Sequence, residues 1–184
     1  SRIIPKARHR PLPRRLAYGI MPEESKNLGT LKDRFGDVIF DTHSYRGDDT
    51  IIIDKQHILE VCRFLRDEAD LSFDFMMDLT VVDYLNQEDA RERFEVVYHF
   101  YSSERNHRLR VKAPIPESDC TIDSIIPLWI GANWFEREAY DMYGIRFNDH
   151  PNLKRILLYE EFEGYPLRKD YSITKRQPLI GPKN

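Results

Sequence analysis

The twenty residues from Phe94 to Ala113 leave this chain little choice of fold. Phe94 to Tyr101 reads Phe-Glu-Val-Val-Tyr-His-Phe-Tyr, a run of aromatic and β-branched side chains that suits a pleated sheet and crowds a helix. From His107 the pattern alternates: Leu109, Val111 and Ala113 point one way, and Arg108, Arg110 and Lys112 the other. A period of two residues means one buried face and one wet face. The polar stretch between the runs supplies a turn, so the pair is predicted as a hairpin whose apolar side something must cover.

The flanking segments supply that cover. Leu28, Leu31 and Phe35 fall at helical spacing between Ser25 and Phe35. Val38-Ile-Phe and Ile51-Ile-Ile are strand-like runs separated by the turn cluster Arg46-Gly-Asp-Asp49, and so read as a second hairpin. Asp54 is placed to cap a helix in which Ile58, Leu59, Cys62 and Leu65 form an apolar stripe. Leu79-Thr-Val-Val is strand-like, and Asp123 is expected to open a helical region of two helices meeting near Gly131 and stopped by Gly144. This order predicts an α+β domain over residues 25–145, with a single mixed, mostly antiparallel sheet and its helices on one face. Residues 1–24 read as a basic extended N-terminal arm, and residues 146–184 as an extended C-terminal segment.

Charge sharpens that division. The net charge is −3, yet residues 1–16 carry six basic side chains and no acid, and residues 168–184 carry five basic side chains against Asp170. The body, residues 17–167, holds 17 basic and 30 acidic residues, a net of −13. Basic ends rich in proline favour extended chain that can lie on an acidic surface. An arginine-rich start also fits a transit peptide, but its prolines spoil the amphipathic helix such a peptide requires. The chain begins on Ser1, so a processed or trimmed start is expected, and Met21 is available as an internal one. An acidic body does not suit phosphate contacts, so a nucleic-acid partner is not expected. No run approaches the ~20 apolar residues of a membrane helix, so a role at a membrane would be through other subunits.

The residue types needed for most chemistry are scattered. Cys62 and Cys120 are too few and too far apart for an iron–sulfur or cysteine zinc site. No two of the eight glycines lie within six residues, which argues against a phosphate-binding loop. The six histidines form no i,i+4 pair and no His-Glu-x-x-His, and there is no Gly-x-Ser-x-Gly elbow. A binding or structural module is what remains, with no catalytic, cofactor-binding or metal residue expected.

Residues 133–171 are the most informative. On a helix, Phe135, Ala139, Met142 and Tyr143 share one face, which is expected in the core. The other side carries Trp134, Arg137, Glu138 and Asp141, with Arg137 and Asp141 at i,i+4 spacing. Such a face is either solvated or an interface, and a tryptophan among the charges favours the interface. Beyond Gly144, Lys154, Arg155, Arg168 and Lys169 bracket Ile156-Leu-Leu and Phe162. This pattern suits docking on an acidic partner. It suits equally a tail folded onto the chain's own acidic body.

Glu136-Arg-Glu-x-x-Asp141-Met-Tyr, followed by six residues to His150, three more to Lys154 and then x-Ile156-Leu157, resembles the signature of the C-type member of respiratory NADH–quinone oxidoreductase (complex I), the 30-kilodalton subunit family. Glu163-Gly-x-Pro-Leu-Arg-Lys-Asp-Tyr171 and the pair Glu92-Arg-Phe-Glu-Val-Val-Tyr and Arg108-Leu-Arg-Val-Lys are also similar to that family, so the resemblance spans roughly residues 50–178. It implies a cofactor-free structural subunit of the peripheral arm, packed against the large D-type subunit near the quinone site and against neighbouring hydrophilic subunits, with residues 146–184 docking on the partner. FMN and iron–sulfur clusters would lie on partner subunits. The implied location is the cytoplasmic face of a bacterial inner membrane. The implied interface comprises Trp134, Glu136, Arg137, Glu138, Asp141, His150, Lys154, Arg155, Arg168 and Lys169. Tyr165 departs from the pattern by standing where many relatives have His. A similar subunit of a membrane-bound hydrogenase, or of a ferredoxin- or F420-linked quinone reductase, is the alternative the same motifs allow. A basic-armed RNA-binding protein is the alternative from another class.

Overall fold

The computed structural model describes residues 25–177; the basic arm read at 1–24 and the last seven residues lie outside them. Helix α1, Lys26–Phe35, starts where Ser25 Oγ accepts from the Leu28 amide, and it buries Leu28, Leu31 and Phe35. Strands β1 (Ile39–Tyr45) and β2 (Asp48–Ile53) form the first hairpin. Its loop is only Arg46-Gly47, both at positive φ (55° and 88°), the two-residue turn whose twist matches paired strands. Asp48 and Asp49 are therefore strand residues, and Asp49 is buried with the Ser25 hydroxyl donating to its carboxylate. Asp54 caps one turn of 3-10 helix, Lys55–His57, which leads into α2, Ile58–Asp67.

Strands β3 (Phe75–Asp83), β4 (Phe94–Ser102) and β5 (His107–Ile115) follow. The five strands run in the order β1-β2-β5-β4-β3, and only the β2–β5 pairing is parallel. The sheet is thus mixed and mostly antiparallel, as expected. Phe94, Val96, Tyr98 and Phe100 of β4 and Leu109, Val111, Ala113 and Ile115 of β5 all join one core with Ile58, Val61, Cys62 and Leu65 of α2. Burying one large apolar side chain stabilises by about 1.5–3 kcal/mol, against ~0–1 kcal/mol for a surface ion pair. This sheet–helix layer is therefore what holds the domain. The alternation read from Arg108 to Ala113 has the predicted sense.

The region opened by Asp123 differs from expectation. Thr121–Asp123 is a short strand, β6, paired in parallel with β7, Arg146–Asn148. Residues 124–131 are turns, and a single helix, α3, spans Ala132–Tyr143. Two causes are visible. Pro127 lacks an amide and disfavours helix at Ile126. The amide of Ile125 and the hydroxyl of Ser124 are both given to the carboxylate of Glu136 instead of to a helical ladder. The domain boundary also moves: residues 146–148 belong to the second, two-stranded sheet, so the irregular tail begins after them.

A candidate docking surface on helix α3 and the C-terminal strap

Helix α3 packs beside β3, with Ala139 and Met142 buried and Phe135 and Tyr143 partly covered. It ends at Gly144, in the left-handed region at φ 76°, with its amide donating to the Tyr140 carbonyl. The chain then returns across the helix. Residues 149–177 contain no regular element, and we refer to them as the strap.

Two carboxylates expected on a partner-facing side lie inside the chain. Glu136 is fully buried; one oxygen accepts from Ser124 Oγ at 2.7 Å and the other from the Ile125 amide at 2.8 Å. Burial pushes its carboxyl up to about 7 against the opposing pull of those two bonds. Asp141 is also fully buried. It meets Arg155 Nη1 at 2.7 Å and accepts the amides of Ile156, Leu157 and Leu158 at 3.0, 2.8 and 2.9 Å. Burial pushes its carboxyl up, but the Leu158 amide, the Arg155 guanidinium and the other two amides outweigh it and hold the group below its ordinary value. In this fold both carboxylates are shut off from solvent. Both shape the surface from beneath.

The expected Arg137–Asp141 ion pair is replaced by a division of labour. Arg137 donates to the carbonyls of Lys154 and Arg155 at 3.0 Å each, while Asp141 collects the next three amides. One helix edge thus satisfies carbonyls and amides of a strand-less segment that would otherwise leave them orphaned. Arg155 turns inward, donating also to the carbonyls of Phe162 and Gly164. His150 Nδ1 accepts the Asn152 amide, so Nε2 carries the proton that faces the Asn133 carbonyl at 3.3 Å.

A second anchor holds the far end of the strap. The Arg168 guanidinium lies between the rings of Phe94 and Tyr165, at 4.8 and 4.7 Å, and its Nε donates to the Tyr143 carbonyl at 2.6 Å. Tyr165, the departure from the family pattern, packs so closely on Gly144 that a Cβ there would sit 2.6 Å from its ring. The Lys169 amide donates to Asp83, which is paired with Arg93; Arg93 in turn reaches Asp170 at 2.8 Å and also pairs with Glu117. Sequence reasoning gave Asp83, Arg93 and Asp170 no site role and marked Tyr165 only as a departure from the family pattern. The Arg93–Asp83 pair spans the loop from β3 to β4 and becomes legible only once their register is known.

What faces outward is a different set. Trp134 is 71% exposed, Leu157 63% and Ile173 fully exposed, with Leu167 half exposed. Among the basic residues, Lys154, Lys169, Lys175 and Arg176 are exposed. Of the ten interface candidates, Trp134, Glu138, Lys154 and Lys169 are therefore at the surface, while Arg137, His150, Arg155 and Arg168 are partly buried and bound to the chain itself. Among the described residues, no group of three His, Cys, Asp or Glu is placed to hold a metal ion, and no helix is long and apolar enough to cross a membrane.

Fold and site define an α+β module that spends buried polar side chains on seating a strap and leaves apolar side chains exposed on it in mixed-charge surroundings. Comparison with known proteins gives that module a family. Residues 51–177 match the model of the respiratory-chain NADH dehydrogenase 30-kilodalton subunit. The C-type chain of the NADH-quinone oxidoreductase of Citrifermentans bemidjiense is 49% identical over 88% of this chain and 94% of its own length. Its counterpart in Geobacter sulfurreducens, also the C-type chain of an NADH-quinone oxidoreductase, is 41% identical over the same shares. Among solved structures, a trypsin-resistant fragment (1–134) of Nqo5 superposes with a TM-score of 0.61 at 28% identity, covering 69% of this chain and 98% of the fragment. A chain of the membrane-bound sulfane sulfur reductase, an archaeal respiratory membrane complex, shares the fold at 20% identity and a TM-score of 0.66, covering 82% of this chain and 88% of that one. The chain belongs to the 30-kilodalton subunit family of the respiratory-chain NADH dehydrogenase.

Proposed function

We propose that this chain is a structural, non-catalytic subunit of the peripheral arm of a proton-translocating NADH–quinone oxidoreductase. It packs against the D-type subunit near the quinone site and, through the complex, sits at the cytoplasmic face of a bacterial inner membrane. FMN and iron–sulfur clusters belong to partner chains, and this chain supports electron transfer by holding its neighbours in place.

The strap carries this reading. Its inward polar groups are bound by Arg137, Asp141 and Asp83, and its outward side offers Leu157, Leu167 and Ile173 among exposed bases (Lys154, Lys169, Lys175, Arg176) and acids (Glu160, Glu163, Asp170). An isolated domain gains nothing from so ordered a segment with its apolar side chains in water; a partner with apolar sockets and matching charges does. Named relatives that are 49% and 41% identical over nearly their full length support the same assignment. The test is affinity purification of the tagged chain from native membranes in mild detergent. The chain is expected in a large assembly that oxidises NADH and reduces quinone. Recovery from intact cells as a free monomer overturns the reading.

A further inference from the structure

A groove of about 480 Å³ lies on the first turns of α3, lined by Ile130, Gly131, Trp134, Phe135 and Glu138. Ile130 and Trp134 are 79% and 71% exposed, so the groove places an indole and a branched aliphatic side chain in water. A concave apolar site with an exposed tryptophan has the composition of an interface anchor. Of its five lining residues Glu138 alone is charged. It is exposed, and no described residue offers it a hydrogen bond or an ion pair. The charged residues beside it on the helix are committed elsewhere: Arg137 to strap carbonyls, Asp141 to strap amides and Arg155.

That arrangement selects the occupant by charge. A cation set between the indole face and the carboxylate gains a cation–π contact and a charge-assisted hydrogen bond at once. A planar guanidinium does both better than an ammonium, because it stacks and donates in the same plane. The groove lies on the same helix that grips the strap: Arg137, about one turn beyond Trp134, donates to the carbonyls of Lys154 and Arg155.

We infer that the Ile130–Trp134–Glu138 groove is a docking site for an arginine side chain of a neighbouring subunit, its guanidinium held between the Trp134 ring and the Glu138 carboxylate and an adjoining apolar residue seated on Ile130 and Phe135. This rests on the reading of the chain as a subunit and adds the chemistry of what it grips.

The experiment uses the intact complex and the isolated full-length chain. Hydroxyl-radical footprinting reads Trp134 in both, and salt-dependent release from the immobilised complex compares wild type with Glu138→Asp, Glu138→Gln and Glu138→Arg. Thermal unfolding of each isolated variant serves as the folding control. Trp134 is expected to oxidise in the isolated chain and to be protected in the complex. Glu138→Arg is expected to weaken retention by about tenfold or more, as charge reversal opposite a partner cation does, with Glu138→Gln intermediate and Glu138→Asp near wild type. Protection already in the isolated chain means that the chain covers the groove itself, and overturns the inference. Oxidation of Trp134 within the complex overturns it too. Protection in the complex with unchanged retention of Glu138→Arg removes the cation while leaving the subunit reading intact. A chain that enters no complex sinks both.

Discussion

Asp141 and Arg155, fourteen residues apart, meet at 2.7 Å with Asp141 wholly shielded from water. The pair is the fulcrum of the strap, because the same carboxylate also terminates the amides of the three residues after Arg155.

Replacing Asp141 by Ala leaves a guanidinium and three amides without their acceptor. Breaking a buried pair from one side costs about 3–5 kcal/mol, so Asp141→Ala is expected to lower the unfolding free energy by roughly that amount. It should also expose the strap to limited proteolysis. Denaturant unfolding checks the first effect and mapping of early cleavage sites the second. A loss below about 1 kcal/mol, the value of a surface pair, would contradict this account of Asp141.

Glu136 predicts a pH dependence of unusual sign. Its folded carboxyl is raised from the ordinary 4.5 to about 7, so the folded state holds the proton more tightly than the unfolded chain. The associated stability is fully present below the ordinary value and is lost as pH rises through about 7. The loss is on the order of 3 kcal/mol. Asp141, whose carboxyl is lowered, acts oppositely: its stabilisation is present above the ordinary carboxylate range and disappears as pH falls through the folded value. Glu136→Gln is therefore expected to flatten the decline between about 4.5 and 7 and to be more stable than wild type at pH about 8. Unfolding curves across that range for both proteins make the comparison; parallel curves would refute it.

Gly144 is constrained twice, by a φ of 76° and by the Tyr165 ring. Gly144→Ala is expected to destabilise by more than the ~1 kcal/mol of a left-handed alanine alone. Part of that cost should vanish in a Tyr165→Ala background, where the ring is gone. A double-mutant cycle on unfolding free energies measures the coupling, and strict additivity would exclude the close approach as a cause.

Trp134 and Arg137 separate two roles that lie side by side. Trp134→Ala removes an exposed side chain, so the isolated chain should change by less than about 0.5 kcal/mol, while association weakens by ~2 kcal/mol or more if the indole anchors a partner. Arg137→Ala releases two strap carbonyls, so it should loosen the strap of the isolated chain as well. Hydrogen exchange over residues 153–158 of each isolated variant distinguishes them.

Much of this domain was legible before any coordinates. The alternation from Arg108 to Ala113 and the apolar spacing of Leu28, Leu31 and Phe35 are local signals, and each appears in the structure with the expected sense. The site was harder to read because burial of charge is not a local property. Helical geometry puts Asp141 on a position that looks solvent-facing and Glu136, singled out only by the family resemblance, at the flank of the core face; the turns at 124–131 and the strap supply their partners. Arg137 and Asp141 have the spacing of a surface ion pair, but the competing backbone comes from residues 154–158, whose lack of secondary structure gives sequence patterns nothing to report. Pro127 was the available clue that no helix begins at Asp123.

The two-sided grip of α3 on the strap has a consequence for how such a chain is used. The outward strap side chains Leu157 and Leu167 are held by bonds from elsewhere in the chain: Asp141 gathers the amides of Ile156, Leu157 and Leu158, and Arg168 lies between Phe94 and Tyr165. A copy with an unseated tail keeps the groove that residues 130–138 form by themselves but loses the ordered strap beside the helix. If a partner grips both surfaces, as proposed above, its binding selects copies whose tail is seated.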